Sequence, residues 1–175
     1  RMKETLARAG LPVARQALVT QASDALALVA AVGYPLVLKP VAGVGTKNTM
    51  RVSDDEELYS ALERLMPSPE QPVQAEEFVS GEEFTLETVS IGGQALWHSS
   101  TYYLPGPLQV VENAWMQYCV LLPREPLPAH AEEFRPLNAR ALTALGMQTG
   151  LSHMEWFRKP DGQMVISEVA ARPPG

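Results

Sequence analysis

Two glutamates near the end of the chain offer the clearest chemistry. Glu155 stands in Ser152-His153-Met154-Glu155-Trp156-Phe157, and Glu168 in Ile166-Ser167-Glu168-Val169-Ala170-Ala171-Arg172. If both segments are strands, alternation puts His153 and Glu155 on one face of the first and Glu168, Ala170 and Arg172 on one face of the second. Glu168 has apolar neighbours, among which an unpaired carboxylate is costly. Two carboxylates facing one space call for a cation, and oxygen ligands of this kind suit Mg²⁺ bridging phosphates. Arg172 is built to grip a phosphoryl group or a carboxylate. The ordinary alternative is an ion pair between Arg172 and either glutamate on a sheet surface, and the residues alone leave both open. His153 reads as a supporting residue rather than a general base.

A second group lies earlier. Lys39 ends the apolar run Leu36-Val37-Leu38 and precedes Val41-Ala42-Gly43-Val44-Gly45-Thr46-Lys47-Asn48. A lysine there can neutralise phosphate oxygens while backbone N–H groups of Gly43 to Thr46 approach closely, since glycine has no Cβ. Lys47 is a further cation in the loop. The spacing is not that of a Walker A loop, which ends in Gly-Lys-Ser/Thr; a strand-end lysine beside a plain hairpin loop is the bland reading. Glu76, Glu77, Glu82 and Glu83 surround the apolar pair Phe78-Val79. Their carboxylates can accept bonds from hydroxyls or an amine, and taken alone they are equally an acidic strand end in water.

These groups need strands and helices to hold them. A helical pattern over 2–9 ends at Gly10, and 16–20 is a short strand. Ser23 is expected to cap a helix over 24–32, and Ser53, with Glu56 in the capping-box position, one running to about residue 66. Strands are expected at 34–40 and 49–52, with the small-residue loop between them. Residues 66–72 hold three prolines and read as a linker. Beyond it, 73–78, 83–91 and 94–100 read as strands, 102–107 as a loop and 131–147 as a helix. Two final strands, 152–158 and 164–170, join through Pro160-Asp161-Gly162. The expected organisation is two α+β lobes, 1–70 and 71–175. The beginning and end of the sequence suggest a piece of something longer.

Composition narrows the function. The 175 residues carry a net charge of −6 with acids and bases interspersed, which argues against a nucleic-acid partner and an anionic membrane surface. Cys119 is the one cysteine, so a reducing compartment, the cytoplasm, is expected. Its apolar stretch predicts a buried, inert thiol. Nothing approaches the roughly 18 apolar residues of a spanning helix.

The order of these motifs resembles the ATP-grasp superfamily, nearest the branch of biotin carboxylase, carbamoyl-phosphate synthetase and carboxylate–amine ligases. The resemblance covers nearly the whole chain. Gly33-Tyr34-Pro35-Leu36-Val37-Leu38-Lys39-Pro40 is similar to the strand whose lysine contacts phosphates, and 41–51 to the glycine loop over the triphosphate, which includes Gly43, Gly45 and Lys47. Gln74-Ala75-Glu76-Glu77-Phe78-Val79 resembles the segment that reads adenine through Glu76 and the backbone of Glu77 and Val79. Glu83 corresponds to the ribose carboxylate, Glu155 and Glu168 to metal ligands. Ala170 stands where the family's metal-binding Asn is usual, so one oxygen ligand is missing. The resemblance implies an α+β ATP-grasp fold, two lobes with antiparallel sheets enclosing a nucleotide cleft. It implies ATP and Mg²⁺ (or Mn²⁺) as cofactors and a small-molecule carboxylate as substrate, activated as an acyl phosphate for attack by an amine. Lys39 and Arg172 would be the catalytic cations. The whole protein would carry a preceding substrate domain and the end of the second lobe, with a homodimer an open alternative. Bicarbonate activation, a catalytically silent nucleotide-binding module and an α+β scaffold without nucleotide are the rival readings.

Overall fold

The computed structural model describes residues 2–41, 49–106, 109–110, 113, 115–117, 119–124 and 128–173. These divide into two compact units, Ala14–Phe78 and Arg1–Val13 with Val79–Gly175.

In the first unit, β1 (Gln16–Val19), β2 (Leu36–Pro40), β3 (Met50–Val52) and β4 (Val73–Glu77) form an antiparallel sheet in the order β1-β4-β2-β3. Helices α1 (Met2–Arg8), α2 (Ala22–Val32) and α3 (Asp55–Leu65) come in chain order, and the latter two cover this sheet. Leu28, Leu58 and Leu62 meet Val19, Leu36, Leu38 and Val73 in one apolar cluster. The helix starts differ from expectation. Asp24, not Ser23, closes the first turn of α2, accepting from the backbone N–H of Thr20 at 2.9 Å and Gln21 at 3.2 Å. On α3 the box sits one residue later: Asp54 accepts from the Glu57 N–H at 2.9 Å, and Glu57 from the Ser53 N–H at 2.7 Å. Helix α2 thus starts earlier than expected, with Gln21 at its N-cap, and α3 is capped by Asp54; the carboxylates of Asp24 and Asp54 also favour the positive helix start.

In the second unit, β5 (Glu82–Ile91), β9 (Gly150–Arg158) and β10 (Met164–Ala170) form the long part of a six-stranded sheet. Strands β6 (Gln94–Ser99) and β7 (Tyr102–Leu104) both pair with β5, and β8 (Cys119–Leu121) with β7. Phe84 and Leu86 of β5, Met154 and Trp156 of β9 and Ile166 of β10 bury against helix α4 (Ala129–Ala144). Trp156 stacks on Phe134 of α4 with centroids 4.2 Å apart. Helix α1 belongs here rather than with residues 14–70: Leu6 and Leu11 enter this core, and the Ile166 N–H donates to the Pro12 carbonyl at 2.9 Å. An apolar helix face goes where apolar area can be buried, whatever its place in the chain.

Two further expectations change. Residues 102–104 form a strand rather than a loop, and Cys119 is exposed. Strand β8 pairs with β7, and all three of its residues are exposed, so among the described residues its apolar side chains have no layer to bury against. No described helix is long and apolar enough to cross a membrane.

Gly81 opens β5 where the chain passes over the Arg158 carbonyl, and a Cβ there would collide with that oxygen. Gly81→Ala is expected to lower unfolding free energy by about 1–3 kcal/mol through overpacking, read as an earlier urea midpoint. An unchanged midpoint would show that β9 yields at no cost.

Candidate functional site

The second sheet has one apolar face and one charged face, and register decides which residues share the latter. Along β5, Phe84, Leu86 and Thr88 point to the α4 side, so Glu83, Thr85 and Glu87 point to the other. Their partners on β9 are Phe157, Glu155 and His153 respectively. On β10 the pairing slips between Ile166 and Glu168. Ile166 pairs with Trp156 on the core side, and simple alternation would send Glu168 to that side too. The extra residue, Ser167, reverses the phase, as a β-bulge does. Glu168 then lies opposite Glu155, and Ala170 opposite His153. The two expected metal ligands are thus directly facing residues on neighbouring strands, and Glu168 is exposed.

His153 sits between carboxylates. Its Nδ1 is 2.9 Å from Glu87 Oε1, and its Nε2 3.3 Å from Glu155 Oε1. Ser99 of β6 donates to the other Glu87 oxygen at 3.1 Å. The bonds to Glu155 and Glu87 overcome burial and raise the His153 pKa to about 9, so the ring is a cation at neutral pH. For Glu87, burial works upward, but the bonds from His153, Thr85 and Ser99 win and hold the carboxyl below its ordinary range. Among the described residues Glu83 has no such help. Burial, then the charge of Glu155, pushes it up to about 8.

In the first unit, Lys39 Nζ lies 3.1 Å from Glu76 Oε1, and the Gln74 amide donates to that oxygen at 2.6 Å. Lys39 and Glu76 come from β2 and β4, which pair as Val37 with Glu76 and Lys39 with Gln74, so the two are diagonal neighbours. Glu77 pairs with Arg15 at 3.2 Å, and its N–H donates to the Arg15 carbonyl at 2.9 Å. Val79 is close to fully buried at the start of the second unit's long segment. Arg172 is exposed past the end of β10, its guanidinium turned to the Pro173 carbonyl at 2.9 Å. Gly43, Gly45 and Lys47 lie outside the described residues.

Sequence reasoning therefore named Glu155, Glu168 and His153 on the charged face but missed Glu87 and Ser99. Glu87 left one signal, a carboxylate in phase with Glu83 on a strand otherwise rich in apolar and hydroxyl residues. Among the described residues no group of three or more His, Cys, Asp or Glu side chains could hold a metal by itself. A pair of facing carboxylates, one of them exposed, nonetheless fits a hard cation that takes its remaining ligands from water and phosphate.

Glu83 holds its proton more tightly folded than unfolded, so its contribution to stability is complete below pH 4.5 and lost as pH rises toward about 8. His153 adds a loss of the same sign, beginning only above its ordinary 6.5 and ending near 9. In EDTA, Glu83→Gln is therefore expected to flatten the fall in urea stability between pH 4.5 and 6.5, where Glu83 acts without His153. An unaltered slope across that window would contradict the assignment.

Comparison with known proteins places this geometry. The profile of the ATP-grasp domain matches residues 4–174. The L-arginine-specific L-amino acid ligase of Bacillus subtilis is 28% identical over 176 residues, covering 98% of this chain and 42% of that protein. The carbamoyl phosphate synthase large chain of Thermotoga petrophila is also 28% identical, over 97% of this chain and 16% of its own length. The crystal structure of an L-amino acid ligase from Bacillus licheniformis superposes with a TM-score of 0.74 at 28% identity, over 99% of this chain and 40% of that one. The chain thus spans less than half of these relatives. With antiparallel sheets, covering helices and a profile match over nearly all its residues, this chain belongs to the ATP-grasp domain family.

Proposed function

We propose that this chain is the ATP- and Mg²⁺-binding part of a ligase that joins a carboxylate to an amine through an acyl phosphate. The observation that carries the reading is the facing pair Glu155 and Glu168, two carboxylates brought opposite one another by a bulge. Membership of a family whose relatives include amino acid ligases supports the reaction class and makes an amino acid the first substrate to try.

In this reading Lys39 binds the phosphates, and its charge is supported in the ligand-free protein by Glu76. Glu76 and the backbone of Glu77 and Val79 meet the base. Glu83, buried enough to keep its proton near neutral pH, suits a ribose hydroxyl. Gly43, Gly45 and Lys47 are assigned to the loop over the triphosphate on resemblance alone. Glu155 and Glu168 hold Mg²⁺, or Mn²⁺ in its place, which would neutralise charge on the phosphates. A carboxylate oxygen of the substrate attacks the γ-phosphorus and ADP leaves. The amine nitrogen then attacks the acyl carbon, phosphate leaves and the nitrogen loses a proton. Arg172 steadies the acyl phosphate. This is catalysis by positioning and charge, in which no side chain becomes a covalent nucleophile.

A second reading, a silent nucleotide-binding module, draws on Ala170, which offers no oxygen opposite His153.

Calorimetric ATP titration with and without Mg²⁺, and phosphate release against a panel of amino acids, separate the two. Lys39→Ala is expected to weaken ATP about 10- to 100-fold, the worth of one charge-assisted contact. Glu155→Gln and Glu168→Gln should each cut Mg²⁺-dependent turnover by at least about 100-fold while ATP still binds in EDTA. Binding without turnover on any substrate would favour the silent module, bicarbonate-dependent cleavage a carboxylating enzyme. ATP affinity untouched by Lys39→Ala would contradict the phosphate assignment.

A further inference from the structure

The charged face contains a chain of contacts that the proposed function does not use. It begins at Glu87, whose carboxylate is nearly inaccessible (7% exposed) and is bonded by His153 and Ser99, with the nearby Thr85 hydroxyl also favouring its charged form. Thr85 is itself held, its hydroxyl accepting from the Thr101 N–H at 3.1 Å and its carbonyl from Ser100 at 2.8 Å. Glu87 is therefore fixed from several sides. His153 (4% exposed) takes its orientation from Glu87 through Nδ1 and has Nε2 left for Glu155. Glu155 is the loose end, with 26% of its side chain exposed. Ala170, opposite His153 on β10, has only a methyl group and cannot compete for Nε2. Order thus passes from a fully held carboxylate, through an imidazole, to one that keeps a side open.

A buried histidine needing only satisfaction could stop at Glu87. The second bond reaches outward instead, to a residue assigned a metal. We propose that His153, anchored by Glu87 and Ser99, is a positioning residue that fixes the Glu155 carboxylate for a divalent cation. The proposal rests on the reading of Glu155 as a metal ligand. An imidazole that holds one carboxylate oxygen restricts rotation about the last side-chain bond and leaves the other oxygen for the cation. Outer contacts of this kind commonly change metal affinity about 10- to 100-fold.

The test is Mn²⁺ binding to the purified protein with a nonhydrolysable ATP analogue, followed by the electron paramagnetic resonance signal of free Mn²⁺. His153→Gln keeps bulk and a donor but not the ring geometry. It is expected to weaken Mn²⁺ about 10-fold or more, while affinity for the analogue in EDTA changes less than about twofold. In the Glu155→Gln background, His153→Gln should then add less than about twofold, because it acts through Glu155. Ser99→Ala should move Mn²⁺ affinity the same way by less. An undiminished effect of His153→Gln in the Glu155→Gln background, or no effect in the natural protein, overturns the proposal. If His153→Gln does not fold, Ser99→Ala passes through the same cycle: loss of its effect without Glu155 supports the proposal, and additivity overturns it. Glu155→Gln alone distinguishes the two levels. Should it leave Mn²⁺ binding intact, the metal assignment itself fails; should it abolish binding while His153→Gln does nothing, only the positioning role fails.

Discussion

Strand β10 passes Ser167 as an extra residue between two pairs with β9, Ile166 with Trp156 and Glu168 with Glu155. Ile166 is fully buried against the core, and two residues along an unbroken strand return to the same side. An unbulged β10 would thus drive Glu168 toward Leu86, Met154 and Trp156, where an ionised carboxylate could not stay. With the bulge, Val169 takes the core-side place and packs there, while Glu168 joins Glu155 on the charged face. The core and the candidate site are therefore fixed together, by one irregularity in one ladder.

The same face must balance its charge. Glu83, Glu87, Glu155 and Glu168 all lie on it, and His153 is the cation within bonding distance of two of them. The result is uneven. Glu87 is held as an anion by bonds from His153 and Ser99, Glu83 is driven to keep its proton, and Glu168 is exposed. Neighbouring carboxylates pushed apart in pKa by their surroundings are a mark of functional sites, though structural networks do the same. Under the proposed function a divalent cation at Glu155 and Glu168 supplies the positive charge that this face lacks.

Much of this was legible because it follows from period and punctuation. Alternation in 152–158 and 164–170 found both strands, Pro160-Asp161-Gly162 their turn, and the proline cluster at 66–72 the break before β4. Glu155 and Glu168 stood out as carboxylates in apolar strands. What stayed hidden depended on distant partners. The bulge at Ser167 is set by pairing with β9, and no local signal marks it. The apolar neighbours of Cys119 suggest burial, but among the described residues no layer covers β8 and Cys119 is exposed. The sequence groups helix α1 with the segment that follows it, whereas its Leu6, with Leu11 just beyond the helix, packs in the core with α4 and β10. Glu87 became interesting only when register set it opposite His153, 66 residues away.

The most direct measurement of the central claim is a crystal structure of the protein with Mn²⁺ and a nonhydrolysable ATP analogue, using the anomalous signal of manganese. The account predicts a peak within coordination distance of carboxylate oxygens from both Glu155 and Glu168, with His153 still bonded to Glu87 and Glu155. Manganese bound elsewhere, with Glu155 engaged only by protein groups, would contradict it.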